Sequence, residues 1–342
     1  MRSFLKPAAG LTCLFALATA GCSAESDDTS DAAPTAPQQS SASPAEEAAS
    51  TTAYAPYVSG TTASDNDSAG SPTAYNLAFV ISDKSACKPK WNEGYAIGDS
   101  SVKSRISQLK EDGATVRVSF GGASGDELAA TCDSASELAE AYGKALDAAG
   151  STQADFDIEG DELTDSDTVA LRSEAIALLQ KERSDLSVSF TLPVMPSGLD
   201  LDSLALLDSA NEHDVQVSTV NLMTMNYGES YDGDMGDYAL TSAKAAHGQL
   251  KDVFGLPDAA AWQGMALTSM IGVNDVANET FTLSDAAQVR TFAEEKEIAW
   301  VSMWSAARDQ SCEEGSSGED DAATDCSGVE QSSGAFAEAF TG

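Results

Sequence analysis

Eight short apolar runs rich in β-branched residues recur along this chain, with longer helical stretches between most of them, and no other feature narrows its fold so far. The runs are Tyr54–Ser59, Tyr75–Ser82, Thr115–Gly121, Ala154–Glu159, Ser187–Val194, Ser218–Tyr227, Met265–Ile271 and Ala299–Trp304. Helical patterns occupy Val102–Glu111, Glu127–Ala149, Asp167–Arg183, Leu201–Glu212, Tyr238–Val253 and Leu283–Glu297, and Val329–Phe340 closes the chain. Within the third of these, Leu171, Ile176, Leu178 and Leu179 have the apolar spacing of a helix lying on a sheet. The segment after the first strand is short and rich in Gly, Ser and Asp, so its helix is expected to be missing. Eight strands with intervening helices over about 290 residues point to an α/β protein, a (β/α)8 TIM barrel forming a single catalytic domain. A doubly wound open sheet is the alternative. No Gly-rich phosphate loop follows an early strand, which counts against its nucleotide-binding versions.

The ends of the chain read differently. Arg2 and Lys6 precede a short apolar stretch, Ala8 to Ala20, too short for a comfortable membrane span. The run Ala18-Thr19-Ala20-Gly21-Cys22 resembles a bacterial lipobox, with Thr19 in place of the usual aliphatic residue. Residues 1–21 are therefore expected to be a lipoprotein-type signal peptide, with Cys22 lipidated and the protein held outside the cell on its surface; secretion after ordinary cleavage is the alternative. Residues 22–52 are dominated by Ser, Ala, Thr, Pro and acids, with no Lys or Arg, and read as a disordered linker. The folded domain is expected over 53–342.

Charge and cysteine content limit the partners. The chain has 342 residues and carries 55 Asp and Glu against 18 Lys and Arg, a net charge of −37. That balance argues against nucleic acid or an anionic membrane face as a partner and favours a neutral or cationic polymer. Any membrane contact is expected through the N-terminal lipid alone, and a monomer is expected. With Cys13 in the signal and Cys22 lipidated, Cys87, Cys132, Cys312 and Cys326 remain. In an exported chain four cysteines suggest two disulfides, and three pairings are open. Cys87–Cys132 with Cys312–Cys326 is the preferred one, since the second closes a short Gly/Ser/Asp-rich loop. No CxxC pair exists, and His213 and His247 lie far away in helical stretches where they are expected to be solvated, so no metal site and no cofactor are called; a hard cation held by clustered carboxylates is the alternative.

The chemistry is concentrated in Asp155-Phe156-Asp157-Ile158-Glu159-Gly160. Carboxylates alternate with apolar residues at period two, so a strand places all three on one face. Like charges that close repel one another and resist desolvation, so at least one should hold its proton unusually well. Unequal carboxylates of this kind do general acid and base work. A solvated acidic strand edge is the alternative for these residues taken alone. In a barrel, however, Glu159 falls at a C-terminal strand end, where catalytic groups sit, with Phe156 and Ile158 toward the helices and the carboxylates toward the axis.

This spacing resembles that of glycoside hydrolase family 18, the chitinases, whose signature is Asp-x-x-Asp-x-Asp-x-Glu at the end of the fourth barrel strand. Asp155, Asp157 and Glu159 match; Thr152 replaces the first Asp. Ser119–Gly122, Phe156–Gly160, Ser189–Pro193, Met270-Ile271-Gly272-Val273-Asn274-Asp275 and Ser302-Met303-Trp304 resemble the bacterial and archaeal branch, and Met223-Thr224-Met225-Asn226-Tyr227 resembles the family's sixth-strand segment, except that Asn226 stands where that branch has Asp. The resemblance covers about residues 53–315. It implies a retaining, substrate-assisted glycosidase acting on chitin, β-1,4-linked N-acetylglucosamine, in which the substrate's own acetamido oxygen attacks the anomeric carbon. Glu159 is then the acid/base, Asp157 orients the acetamido group, Asp155 tunes Asp157, and Tyr227 donates to the acetamido oxygen. Trp304 stacks under the sugar, Asp275 contacts the acetamido group or Tyr227, and Met225, Asn226 and Gly122 line the substrate site. An endo-β-N-acetylglucosaminidase acting on N-glycans and a non-hydrolytic chitin-binding protein are the alternatives. Arg117 shares the face of Ser119 and Gly121; inward, it would need Asp155 as its partner, and a surface Arg at the barrel bottom is the alternative.

Overall fold

Pro56 breaks the first strand, and the break closes the sheet. In the computed structural model, which describes residues 52–84, 86–92, 94–313 and 325–342, β1 (Ala53–Tyr54) pairs in parallel with the last strand while β2 (Tyr57–Ser59) pairs in parallel with β3 (Ala74–Asp83). Between them, Ala55 donates its N–H to Val301 on one side and the Pro56 carbonyl accepts from Asn76 on the other, 3.0 and 2.9 Å. The two short pieces thus act as one barrel strand. The others are β3, β6 (Thr115–Gly121), β7 (Gln153–Asp157), β8 (Ser187–Pro193), β9 (Val217–Met223), β10 (Met265–Met270) and β13 (Trp300–Trp304), all parallel and hydrogen-bonded in that order. The chain forms a (β/α)8 barrel, and the open-sheet alternative is set aside.

Helices α1 (Ser100–Leu109), α2 (Ala135–Ala149), α3 (Asp161–Thr164), α4 (Ser166–Glu182), α5 (Leu201–Glu212), α6 (Met235–Phe254), α7 (Asp258–Gln263), α8 (Leu283–Lys296) and α9 (Ala335–Thr341) complete the described residues with two additions to the barrel. One is a hairpin, β4 (Ala86–Trp91) and β5 (Tyr95–Ala96), extending β3 antiparallel; the other is a small hairpin, β11 (Gly272–Val273) and β12 (Thr280–Phe281), after β10. No helix lies between β2 and β3, as the composition of that segment suggests.

Several boundaries move, each for a physical reason. The expected Glu127–Ala149 helix begins only at Ala135, where the Ser134 hydroxyl accepts the N–H of Glu137; Glu127 instead caps a single 3-10 turn over Leu128–Ala130. The expected Ser218–Tyr227 strand ends at Met223, because the chain turns at Asn226 with φ +53°. The last helix starts at Ala335 rather than Val329, where Asp309 accepts the N–H groups of Phe336 and Ala337, both at 2.9 Å. Cys87–Cys132 and Cys312–Cys326 are the disulfides. The signal, lipidation and linker assignments over residues 1–51 lie outside the described residues.

Register along the barrel sorts the two faces. Phe120, Phe156 and Phe190 are register partners on β6, β7 and β8, and their rings pack outward with Tyr142 of α2. The intervening residues Ser119, Asp155 and Ser189 are likewise partners, and they point to the axis. Each outward ring removes a large apolar surface from water, on the order of 2–3 kcal/mol apiece. That burial fixes which residues face inward, because slipping one strand by a single residue would exchange the two sets.

Candidate active site

Inside the barrel, Asp155 is enclosed by hydroxyl groups. Its Oδ2 accepts from Ser119 Oγ at 2.6 Å and Tyr57 Oη at 3.0 Å, and its Oδ1 accepts from Ser189 Oγ and Thr191 Oγ1, both at 2.8 Å. These donors come from β2, β6 and β8, so the first, third and fifth barrel strands meet on a carboxylate supplied by the fourth. The network continues through Asn221, which donates to Thr191 and accepts from Thr268 at 2.9 Å. Asp155 is 1% exposed, and four neutral donors, with the charge of the buried Arg117 guanidinium, offset the cost of placing a carboxylate there. Burial, followed by Asp155, raises the Tyr57 phenol above its ordinary range, which keeps its proton available to donate.

Two residues further along the strand, Asp157 faces a cleft of about 340 Å³, within the size range of small-molecule sites. Its Oδ1 is buried without a hydrogen-bond partner. Burial first, then Glu159 and Asp155, pushes its carboxyl well above the usual carboxylate range. Glu159 follows at the strand end, less buried, and is pushed up to about 7 by burial and then by Asp275 across the cleft. The three carboxylates thus sit in graded surroundings: the deepest has four donors, the next is buried with one oxygen unpartnered and holds its proton strongly, and the outermost exchanges its proton near neutral pH.

Gly121 and Gly122 let β6 approach this row. A Cβ on Gly121 would sit 2.2 Å from the Asp157 carbonyl oxygen, and one on Gly122 would sit 2.7 Å from the Phe79 ring. Both have φ near +90°, which side-chain-bearing residues rarely adopt. Phe79 in turn lies nearly parallel to Trp304, with ring centroids 5.5 Å apart, and Tyr57 tilts against both. Met223, Met225, Asn226, Thr268, Met270 and Asp275 line the rest of the cleft with Thr191.

Of the residues singled out from sequence, Glu159, Asp157, Trp304, Met225, Asn226 and Asp275 come together around this cleft, with Asp155 beneath it and Gly122 behind Phe79. Asp275 does not contact Tyr227. It pairs reciprocally with Asn226, whose Nδ2 donates to Asp275 Oδ2 while its Oδ1 accepts the Asp275 N–H, both at 3.1 Å. Tyr227 itself is a correction. Its ring is buried with Tyr231 and Tyr238, and its hydroxyl lies 3.5 Å from Ser242 on α6, away from the cleft, because the turn at Asn226 reverses the alternation that a continuing strand would have kept. Arg117 does point inward: it donates to Asn76 Oδ1 and lies over the Trp300 ring, 3.9 Å from the guanidinium carbon, while Asp155 acts on it through charge and not through a direct hydrogen bond. His247 is not solvated: it is buried against Trp262 at 3.8 Å and meets the Asp258 carbonyl at 3.0 Å.

Sequence reasoning missed Tyr57, Phe79, Thr191, Asn221, Thr268 and Glu279. The first five sit on barrel strands, and the inward position of all but Phe79 was open to the same alternation argument that located Asp155; Phe79 faces the cleft because the register of β3 shifts between Leu77 and Val80. Among the described residues no group of three or more His, Cys, Asp or Glu side chains is arranged to hold a metal ion.

Fold and site together define a (β/α)8 barrel with a graded carboxylate row at the C-terminal end of its fourth strand and an aromatic platform at the end of its eighth. No protein-family model matches the sequence. A probable bifunctional chitinase/lysozyme of Escherichia coli (strain K12) is 34% identical over 275 residues, 75% of this chain and 31% of that protein. Endochitinase 11 of Metarhizium anisopliae is 33% identical over 274 residues, 75% of this chain and 52% of that protein. The chain thus spans about a third and about half the length of these two relatives. Among solved structures, catalytic site mutants of active domain 2 of the thermostable chitinase from Pyrococcus furiosus, complexed with chito-oligosaccharides, match with 29% identity and a TM-score of 0.74, covering 84% of this chain and 92% of that one.

Proposed function

We propose that this chain is a family 18 chitinase, a glycosidase that hydrolyses β-1,4-linked N-acetylglucosamine polymers with retention of configuration. The observation that carries the reading is the Asp157–Glu159 pair: a carboxyl with a buried, unpartnered oxygen and one that exchanges its proton near neutral pH, both lining one cleft beside the Trp304–Phe79 platform. Similarity to chitinases over three quarters of the chain supports it.

The residues divide the work as follows. A sugar ring lies with its apolar face on Trp304. Asp157 Oδ1 accepts the acetamido N–H, which orients that group and stabilises the positive charge it acquires. The acetamido oxygen attacks the anomeric carbon as the glycosidic bond breaks, and Glu159 gives its proton to the leaving oxygen. Glu159, now a carboxylate, removes a proton from water, which opens the cyclic intermediate from the original face and restores the acid. Asp155 acts through Asp157, holding negative charge beneath it. No role in this sequence is given to Tyr227.

Glu159→Gln keeps the shape and removes the titrating proton. Its turnover of chito-oligosaccharides should fall by about a hundredfold or more, the scale of a lost general acid, and undiminished turnover overturns the reading. The first product released should be the β-anomer by proton NMR. The proposal extends to placement: lipid on Cys22 would hold the domain at the outer cell surface, so metabolic fatty-acid labelling should be lost in Cys22→Ser. Light scattering should give the mass of a monomer.

A further inference from the structure

The loops after β9 and β10 meet at the cleft through Asn226 and Asp275, and a buried carboxylate unused by the chemistry above holds them together. Glu279 is 1% exposed. It closes the loop that carries Asp275: its carbonyl accepts the Asn274 N–H at 3.0 Å, its own N–H donates to the Val276 carbonyl at 3.2 Å, and Asn274 Nδ2 donates to the carbonyls of Met270 and Gly272. Its side chain reaches the other loop. Oε1 accepts the Gly228 N–H at 2.8 Å, and the amides of Tyr227 and Asn226 also turn toward the carboxylate.

Three successive backbone amides converging on one carboxylate make an anion-binding concavity, here filled by the protein's own side chain. The turn needs such a partner. Asn226 sits at φ +53° and Gly228 at φ +115°, conformations the chain does not adopt by default. Burial raises the Glu279 carboxyl above its ordinary range while the three amides lower it, and no basic side chain contributes to that balance. A buried carboxylate without a cation is costly. Here the backbone amides of the 226–228 turn offset part of that cost, and Oε2 remains without a hydrogen-bond partner.

We propose that Glu279 is a positioning residue for the hydrolysis: its carboxylate gathers the 226–228 turn and, through Asn226, fixes Asp275 on the cleft wall opposite Glu159. The inference rests on the proposed chitinase activity. The groups facing Glu159 are Asp157 from its own strand end and Asp275 from that wall. Loosening the wall therefore alters the field at the acid as well as the shape of the cleft.

The test compares purified wild type, Glu279→Ala, Glu279→Gln, Asp275→Asn and Asp275→Asn/Glu279→Ala on chito-oligosaccharides, with folding checked by circular dichroism. Wild-type turnover comes first: its absence sinks the chitinase reading and the inference that rests on it together. Given turnover, Glu279→Ala should lose about tenfold in kcat, the scale on which a displaced site wall acts, with the alkaline limb of its pH profile moved to lower pH. Glu279→Gln, which keeps one acceptor for Gly228, should recover part of both effects. In the Asp275→Asn background the alanine change should move the limb no further. A folded Glu279→Ala with wild-type kcat and limb overturns the inference, as does a limb shift that survives in the double variant. If Glu279→Ala does not fold, Glu279→Asp takes its place, with the carboxylate withdrawn by one methylene and the same outcomes deciding.

Discussion

At the residue scale, the site works by giving three like groups different company. Asp155 has four hydroxyl donors, Asp157 has an acceptor left open, and Glu159 has burial and the facing Asp275. The sign of the Glu159 shift gives two predictions. Its carboxyl is raised from 4.5 to about 7, so the acid form needed to protonate the leaving group is lost above that pH, and kcat/KM should fall with a limb near pH 7. A raised pKa also means that the stability this group contributes is complete below its unfolded value and is lost as pH rises through the folded one. Glu159→Gln should therefore have the higher melting temperature at pH 8 and little advantage at pH 4, measured by scanning calorimetry; an equal difference at both would remove the electrostatic explanation. Gly122→Ala tests the packing side. With φ +88° and a Cβ 2.7 Å from the Phe79 ring, it should cost about 1–3 kcal/mol in urea unfolding and raise KM by displacing the platform.

Elements position these residues through a few desolvated contacts. Glu127, after β6, accepts from Tyr142 Oη of α2 at 2.7 Å and from Arg172 Nε and Nη2 of α4 at 3.0 and 2.8 Å, all buried. Glu162 of α3, directly beyond the catalytic strand end, joins the same arginine at 3.7 Å. Removing one partner leaves an uncompensated charge inside, so Glu127→Gln should destabilise by about 3–5 kcal/mol in denaturant unfolding. A loss within 1 kcal/mol would mean that water reaches the pair. Alternation and helical spacing made the regular elements legible: β6 and α5 match their expected ranges residue for residue, and β8 and β10 each end one residue early. The exceptions are places where a tertiary partner stops an element. Asp309 sets the start of α9, and Glu279 holds the turn that ends β9 short of Tyr227. The hairpin β4–β5 carries a short alternation, Cys87, Pro89 and Trp91 against Lys88 and Lys90, that sequence reasoning passed over because a proline and two lysines interrupt it; Trp91 is buried, and a disulfide from Cys87 to Cys132 anchors the strand.

For the whole molecule the net charge of −37 is the dominant long-range term. Self-repulsion of that size opposes the compact state and is screened by salt, with the Debye length falling from about 30 Å at 0.01 M to about 3 Å at 1 M. The urea midpoint should rise with NaCl over that range, and a flat response would show that the charges are already paired or dispersed. What the sequence by itself determined is what periodicity encodes: eight strands, their order, the inward face of Asp155, Asp157 and Glu159, and the position of Trp304 at a strand end. Local patterns carry that information because side-chain direction repeats along a strand whatever the strand packs against. Only the tertiary structure decided which distant hydroxyls satisfy Asp155, that Arg117 lies on Trp300, that His247 is buried, and that Asn226 turns Tyr227 out of the site while binding Asp275. Those outcomes depend on contacts between segments tens to hundreds of residues apart. They form only when the barrel closes and water is excluded from its axis, and no local pattern registers that event.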